Sequence, residues 1–269
     1  TFFDTADIYG LGTSERILGE ELKTQRDNVV LATKFGVRRD GSKTFHDNSA
    51  SWMRQAIEAS LTRLGTDRID LFQLHYWDKK TSFDEIQDTA ESLIREGKAL
   101  AFGVTNMDPR KFKSGANATP VSFSNELNLV RNGTRSETLD TTQATGATFI
   151  GWGCLAQGAL TAKYKANHKF SDDDRRSRDA YVAFHGLGLA KREAALEKMS
   201  DLLAHLPGKT HAHLALRWIL DSVPSSITLA GVKSPDQILG LLGSQDWHLS
   251  PEQIDSLTIE AADTSVTAA

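Results

Sequence analysis

The chain has one cysteine, Cys154, among 269 residues. A single thiol excludes an internal disulfide and leaves no thiolate cluster for zinc or an iron–sulfur centre. A reducing compartment is the simplest home, and the cytoplasm is the default expectation. No apolar run approaches the roughly 20 residues that span a bilayer, and no basic segment followed by an apolar stretch opens the chain, so no membrane partner is predicted. Excess basic charge is also lacking. The 31 Lys and Arg stand against 35 Asp and Glu, a formal charge of −4, which predicts no nucleic-acid surface and makes any anion site a local one. No internal repeat or second domain is visible, and residues 1–269 are read as one unit.

What is present is alternation. Short apolar runs at 2–4, Val29 to Lys34, Ile69 to His75, Leu100 to Val104, Pro120 to Phe123, Thr148 to Trp152 and Ser226 to Ala230 are separated by stretches of helical spacing. The helices are expected at Ser14 to Thr24, with Ser14 as cap and Ile17, Leu18 and Leu22 on the inner face, at Ser51 to Leu64 ended by Gly65, and at Asp84 to Glu96 ended by Gly97. Ala190 to Leu206 and His211 to Leu220 follow, and Asp246 to Gln253 leads a closing helix before a frayed tail, Thr264 to Ala269. Strands alternating with helices predict an α/β fold with a parallel sheet, and the length suits a barrel of about 250 residues. Lys165 to Gly188 is long, polar and without clear period, the pattern of a lid or a disordered loop. His211 and His213 are two apart on a helix and make a poor metal pair, so no metal is predicted.

Three ionisable residues sit where apolar runs stop: Asp4, Lys34 and His75. Tyr9 lies in the turn after the first. In a barrel every strand's C-terminal end opens on one face, which brings such residues together from distant segments. A free phenol titrates at about 10 and is a poor acid at neutral pH. A nearby ammonium favours the phenolate, a carboxylate holds the ammonium, and an imidazole hydrogen-bonds a substrate oxygen. Singly, each residue has an ordinary explanation: a solvated strand end, a helix cap, a packing tyrosine.

Their surroundings are less ordinary. Asp4-Thr5-Ala6-Asp7-Ile8-Tyr9-Gly10-Leu11-Gly12-Thr13-Ser14-Glu15, Ala32-Thr33-Lys34, Gln73-Leu74-His75 and Gly103-Val104-Thr105-Asn106 closely resemble the signatures of the aldo-keto reductase family, in the family's order. The resemblance covers nearly the whole chain. It implies a TIM (β/α)8 barrel and an NADPH-dependent carbonyl reductase acting on a small-molecule aldehyde or ketone. Tyr9 would be the proton donor, with Lys34 and Asp4 tuning it and His75 orienting the substrate. Thr105 and Asn106 would clasp the nicotinamide carboxamide. Ser124 falls where a glutamine usually completes that clasp, with Asn125 beside it. Trp152 falls at the position of the aromatic residue that stacks on the nicotinamide, and Gly153, Leu155 and Gln157 belong to the loop over the pyrophosphate. Gly231, Lys233, Ser234 and Gln237 resemble the site for the 2′-phosphate and adenosine, where a lysine and a serine before a helix suit a dianion. The acid and asparagine that often hold adenine one turn later are Gly240 and Leu241 here. Tyr76 and Trp77 are expected to wall the substrate pocket, and the polar stretch Phe35 to Asn48 to lie at its mouth.

The first strand here corresponds to the family's second, so a barrel lacking its N-terminal hairpin and first strand and helix is expected, and a fragment is the favoured explanation. Two other functions fit the fold: a cofactor-sensing regulatory subunit, as among relatives that associate with potassium channels, and a two-carboxylate hydrolase without redox chemistry.

Overall fold

A computed structural model of the chain describes residues 1–108 and 120–259. The chain divides into two compact units, Thr1–Asn125 with Gln143–Thr148, and Glu126–Thr142 with Phe149–Ala269.

The first unit is built on five parallel strands, β1 (Phe2–Asp4), β2 (Val30–Phe35), β5 (Ile69–Leu74), β6 (Ala99–Thr105) and β7 (Ser122–Glu126), hydrogen-bonded in that order. Register aligns Asp4 with Ala32 and Lys34 with Gln73. The strands β2 and β5 are buried along almost their whole length, as parallel strands covered on both faces must be. Between β2 and β5 stands a small antiparallel hairpin, β3 (Val37–Asp40) and β4 (Lys43–His46), in the stretch read from sequence only as polar and glycine-containing.

Three helices cover this sheet. α1 spans Thr13–Leu22, α2 Ala50–Leu64 and α3 Phe83–Arg95. Ser49 and Ser82 cap α2 and α3 by accepting the amides of Trp52 and Glu85, and Gly65 closes α2 in the left-handed conformation with its N–H on the carbonyls of Leu61 and Thr62. Helix α1 departs from the expected reading. Its cap is Gly12, with no side-chain bond, and Ser14 instead accepts a hydrogen bond from the Thr5 hydroxyl at 2.8 Å. Its one buried residue is Glu15, and Ile17, expected to face inward, is exposed. The helix is anchored by a carboxylate rather than by an apolar stripe. It also packs unusually close to α2: a Cβ on Gly19 would lie 2.3 Å from the Leu64 carbonyl oxygen.

The second unit holds β8 (Thr148–Trp152) for all but its first residue, paired in parallel with β9 (Ser226–Thr228), most of α4 (Arg135–Thr145), and α5 (Gly186–Leu203), α6 (His211–Ser222), α7 (Pro235–Leu241) and α8 (Pro251–Leu257). Helix α6 is the best buried, through Leu214, Ala215, Trp218 and Ile219. The 165–188 stretch, whose polarity suggested a lid or a disordered loop, is packed through contacts of its own. Arg176 lies over the rings of Tyr164 and Phe170, at 5.0 and 4.4 Å from their centroids, and is held by Asp174 at 2.5 Å. Phe170 packs edge-on against Phe184 at 4.8 Å. Cation–π and aromatic contacts fold this segment without any periodicity a sequence pattern would reveal. The tail from Thr264 lies outside the described residues.

Candidate active site

Asp4, Tyr9, Lys34 and His75 meet in the first unit. Asp4 closes β1, Lys34 is the penultimate residue of β2, and His75 follows β5, so parallel pairing puts all three at the same end of the sheet. The Lys34 ammonium donates to Asp4 Oδ1 and to the Thr5 carbonyl, the latter at 2.9 Å. The other oxygen of Asp4 accepts from Gln73 Nε2 at 2.9 Å. Both partners of the ion pair are nearly buried. The ammonium is 5.2 Å from the centre of the Tyr9 ring, and that ring meets His75 edge-on at 5.8 Å. Tyr9 is 43% exposed while its three neighbours are not, so the phenol is the member of the group open to an incoming molecule.

Burial, and after it the positive charge of Lys34 and the proximity of His46, push the imidazole of His75 down to about 3. The ring is neutral at physiological pH. Its Nδ1 is buried without a partner, which leaves Nε2 as the nitrogen able to meet a bound group. Two more rings join it: Tyr76, expected from sequence to wall the substrate pocket, stacks on His75 at 5.1 Å and on His46 of β4, also at 5.1 Å. Tyr76 keeps open surface beside these stacks, at 38% exposure. Trp77 donates its indole N–H to the Thr81 carbonyl at 2.9 Å and is part of its own loop.

The Tyr9 turn is pinned on both sides. Before it, the Asp7 amide donates to the Lys34 carbonyl at 3.2 Å. After it, Glu15, fully buried, accepts from the Thr33 hydroxyl at 2.6 Å and from Arg63 Nε at 2.5 Å. Gly10, Leu11 and Gly12 carry the chain between through three successive positive φ angles. Asp7 Oδ1 is buried without a partner, and burial, reinforced by Glu15, raises its carboxyl to about 7.

The expected carboxamide clasp is present in part. Thr105 donates its hydroxyl to the carbonyls of Leu74 and His75, at 2.9 and 2.5 Å, so that group is spent on the fold. Asn106, in the left-handed region at φ 56°, donates Nδ2 to the His75 carbonyl at 3.0 Å, which leaves Oδ1 without a partner among the described residues. An open amide oxygen suits the NH2 of a carboxamide. Ser124 is buried in the middle of β7, and its carbonyl accepts the Asn106 amide at 2.8 Å. Asn125 is taken by the Met107 carbonyl.

Within the second unit, Trp152 ends β8 with its indole N–H buried and unpartnered. Gly153 follows at φ 65°, where a Cβ would press on Glu126 at 3.0 Å. Leu155 and Gln157 lie in the short 3-10 turn that comes next, and Gln157 reaches Glu126 at 3.5 Å. Lys233 is exposed, with its amide on Gln237 at 2.8 Å, Ser234 caps α7, and Gly231 is exposed before them. These two segments offer an orphaned donor, a tight glycine turn and an exposed lysine whose charge also acts on Asp174. That donor set fits a nicotinamide dinucleotide. Among the described residues no three potential metal ligands gather, and no helix is long and apolar enough to cross a membrane.

Comparison with known proteins agrees with this geometry. The profile of the Aldo/keto reductase family matches residues 1–261. The chain is 31% identical over 255 residues to the aldo-keto reductase YhdN of Bacillus subtilis (strain 168), covering 94% of this chain and 76% of that protein. It is 28% identical over 284 residues to the versiconal hemiacetal acetate reductase of Aspergillus parasiticus, covering 95% and 81%. Among solved structures, the glycerol dehydrogenase AKR11B4 from Gluconobacter oxydans superposes with a TM-score of 0.86 at 30% identity, over 100% of this chain and 84% of that one. The aldo-keto reductase AKR11C1 from Bacillus halodurans, in its holo form, matches the fold with a TM-score of 0.76 at 24% identity, over 98% and 84%. Sequence signatures, whole-chain profile and fold converge, and the chain belongs to the aldo/keto reductase family of oxidoreductases, with that family's TIM-barrel architecture.

Proposed function

We propose that this chain reduces an aldehyde or ketone to an alcohol with NADPH, and that Tyr9 gives the proton. The observation that carries this reading is the cluster in the first unit: an exposed phenol whose ring centre lies 5.2 Å from a buried ammonium, beside an imidazole that is neutral. The bound cofactor supplies a hydride to the carbonyl carbon. Everything else is the work of side chains. Neutral His75 donates a hydrogen bond from Nε2 to the substrate oxygen without competing as a stronger acid. Tyr9 passes its proton to that oxygen as negative charge develops there. Lys34 stabilises the phenolate left behind, and Asp4, fixed by Gln73, keeps the ammonium in place.

In the same reading Asn106 accepts from the carboxamide, with Thr105 and Ser124 setting the backbone that aims it. Trp152 provides the flat surface for the nicotinamide ring, the turn at Gly153, Leu155 and Gln157 faces the pyrophosphate, and Lys233 with Ser234 pairs with the 2′-phosphate, flanked by Gly231 and Gln237. The preference for NADPH over NADH rests on that lysine. The names of the relatives, a hemiacetal acetate reductase and a glycerol dehydrogenase among them, support a carbonyl–alcohol pair as the substrate class.

The test is Tyr9→Phe. Turnover across a carbonyl panel should vanish while fluorescence titration still reports NADPH binding. Turnover kept at the wild-type level would refute the role of Tyr9, and a wild-type chain that binds NADPH yet reduces nothing would favour a regulatory subunit.

A further inference from the structure

We infer that Glu15 and Thr33 are positioning residues for the reaction: the Arg63–Glu15–Thr33 chain of bonds sets the distance between the Tyr9 phenol and the Lys34 ammonium. The inference rests on the reading of Tyr9 as proton donor.

The geometry is specific. Tyr9 sits in a turn whose two ends are tied to the same strand, β2. The first tie is backbone, from the Asp7 amide to the Lys34 carbonyl at 3.2 Å. The second is a side-chain bond, from Thr33 Oγ1 to Glu15 Oε1 at 2.6 Å. Thr33 and Lys34 are neighbours on a strand and point to opposite faces. Lys34 therefore reaches the phenol on one side while Thr33 grips the helix that follows the phenol on the other. Arg63 completes the clamp from α2, with Nε on Glu15 Oε2 at 2.5 Å and an amino group on the Ser60 hydroxyl at 3.1 Å. Its side chain runs across Gly12, where a Cβ would come within 2.5 Å of Cδ, so the turn and the guanidinium interlock.

As a device for stability this arrangement is poor. Taking a carboxylate out of water costs several kcal/mol, and an apolar side chain of similar volume would commonly hold the helix as well or better. What the ion pair adds is direction. Both oxygens of Glu15 are committed, one to the strand and one to α2, so α1 cannot slide along β2 without breaking a buried bond. Without that tie the turn would be held to β2 by the Asp7 amide, with the Thr5–Ser14 hydroxyl bond and the turn's own backbone bonds through the left-handed residues 10–12 as its remaining supports. Glu15 at the third position of α1 would ordinarily turn back to the helix start, and here Gly12 has no side-chain cap at all.

The test is Thr33→Val, which removes one hydroxyl and keeps the shape, with Thr33→Ser as the rescue. In the full chain, with NADPH and a carbonyl that the wild type reduces, Thr33→Val should lower kcat roughly 10- to 100-fold, the range that displacement of a catalytic group by about 1 Å produces. KM for the carbonyl and Kd for NADPH should stay within about twofold of wild type, since uniform binding is untouched. Thr33→Ser should restore kcat. Amide hydrogen exchange of residues 8–14 should quicken in the valine variant and recover in the serine one. Wild-type kcat in Thr33→Val, or failure of Thr33→Ser to restore it, would overturn the inference. Should valine not fit, Thr33→Ala removes the same hydroxyl without needing room, and the same two outcomes decide. An active Thr33→Val beside an inactive Tyr9→Phe sinks the clamp alone, whereas an active Tyr9→Phe sinks the functional reading beneath it.

Discussion

Lys34 holds its ammonium 5.2 Å from the centre of the Tyr9 ring while bonding Asp4 and the Thr5 carbonyl, so one cation both faces the phenol ring and neutralises a buried carboxylate. The two tasks separate under mutation. Lys34→Met should cut turnover by roughly 100-fold or more and also destabilise the fold by about 3–5 kcal/mol, because Asp4 is left buried and unpaired. Adding Asp4→Asn should recover most of the lost melting temperature and none of the turnover. Thermal melts beside steady-state rates check both, and a Lys34→Met enzyme working at the wild-type rate would remove the cation from the mechanism.

Asp7 makes a pH prediction. Its carboxyl is raised from 3.8 to about 7, first by burial and then by Glu15, so between those values the folded chain holds a proton that the unfolded chain has released. Stability supplied by this group is complete below pH 4, declines through the interval and is gone above 7. Chemical denaturation from pH 4 to 8 should show a falling contribution that Asp7→Asn flattens. An unchanged slope in the asparagine variant would mean the carboxyl is charged throughout.

His75 works in the opposite sense. Its imidazole is lowered from 6.5 to about 3, chiefly by burial, so the unfolded chain takes up the proton first and stability is lost as pH falls from 6.5 towards 3. The ring resonances of His75 should show the neutral form down to about pH 4. A titration midpoint near 6.5 would contradict the buried, neutral ring on which the substrate hydrogen bond depends.

Lys233 tests the choice of cofactor. Lys233→Ala should weaken NADPH binding by about 10- to 100-fold, the worth of one charge-assisted hydrogen bond of about 1.5–3 kcal/mol, and leave NADH binding unchanged. Equal losses for both nucleotides would place the 2′-phosphate elsewhere.

Gly19→Ala bears on the packing of helices α1 and α2. Alanine normally stabilises a helix interior by about 1 kcal/mol relative to glycine. Here its methyl would lie 2.3 Å from the Leu64 carbonyl oxygen, so the helices must part, at a net cost of about 1–3 kcal/mol. A melt at or above the wild-type temperature would show that the close approach is dispensable.

Strands and several helices were legible in the sequence because burial on both faces leaves short apolar runs such as Val29 to Ala32, and because Gly65 and Gly97 mark helix ends by their own chemistry, whereas the caps Ser49 and Ser82 emerged only from the structure. Three residues of the candidate site, Asp4, Lys34 and His75, were legible as strand-end ionisable groups, and Tyr9 as a phenol in the turn after the first. What stayed hidden was long-range and polar. Glu15 was visible only as the last residue of a signature, and nothing in its neighbours announces that Thr33 and Arg63 will meet it. Gln73 gave no sign that it would hold Asp4 across 69 residues. The packing of the 165–188 segment stayed unseen because an arginine between aromatic rings leaves no periodic trace. Thr105 kept its predicted place, but its hydroxyl is consumed by two carbonyls that only the fold brings near.

The stack of His46, Tyr76 and His75 carries one last implication. The outermost ring belongs to a hairpin that decorates the barrel, and the innermost to the machinery. A change at residue 46 that admits a new guest would also shift what the inner imidazole leans against. On the proposed role of His75, the taste for a substrate and the pace of its conversion would be inherited as one trait, and laboratory evolution at residue 46 that alters the first should find the second moving with it.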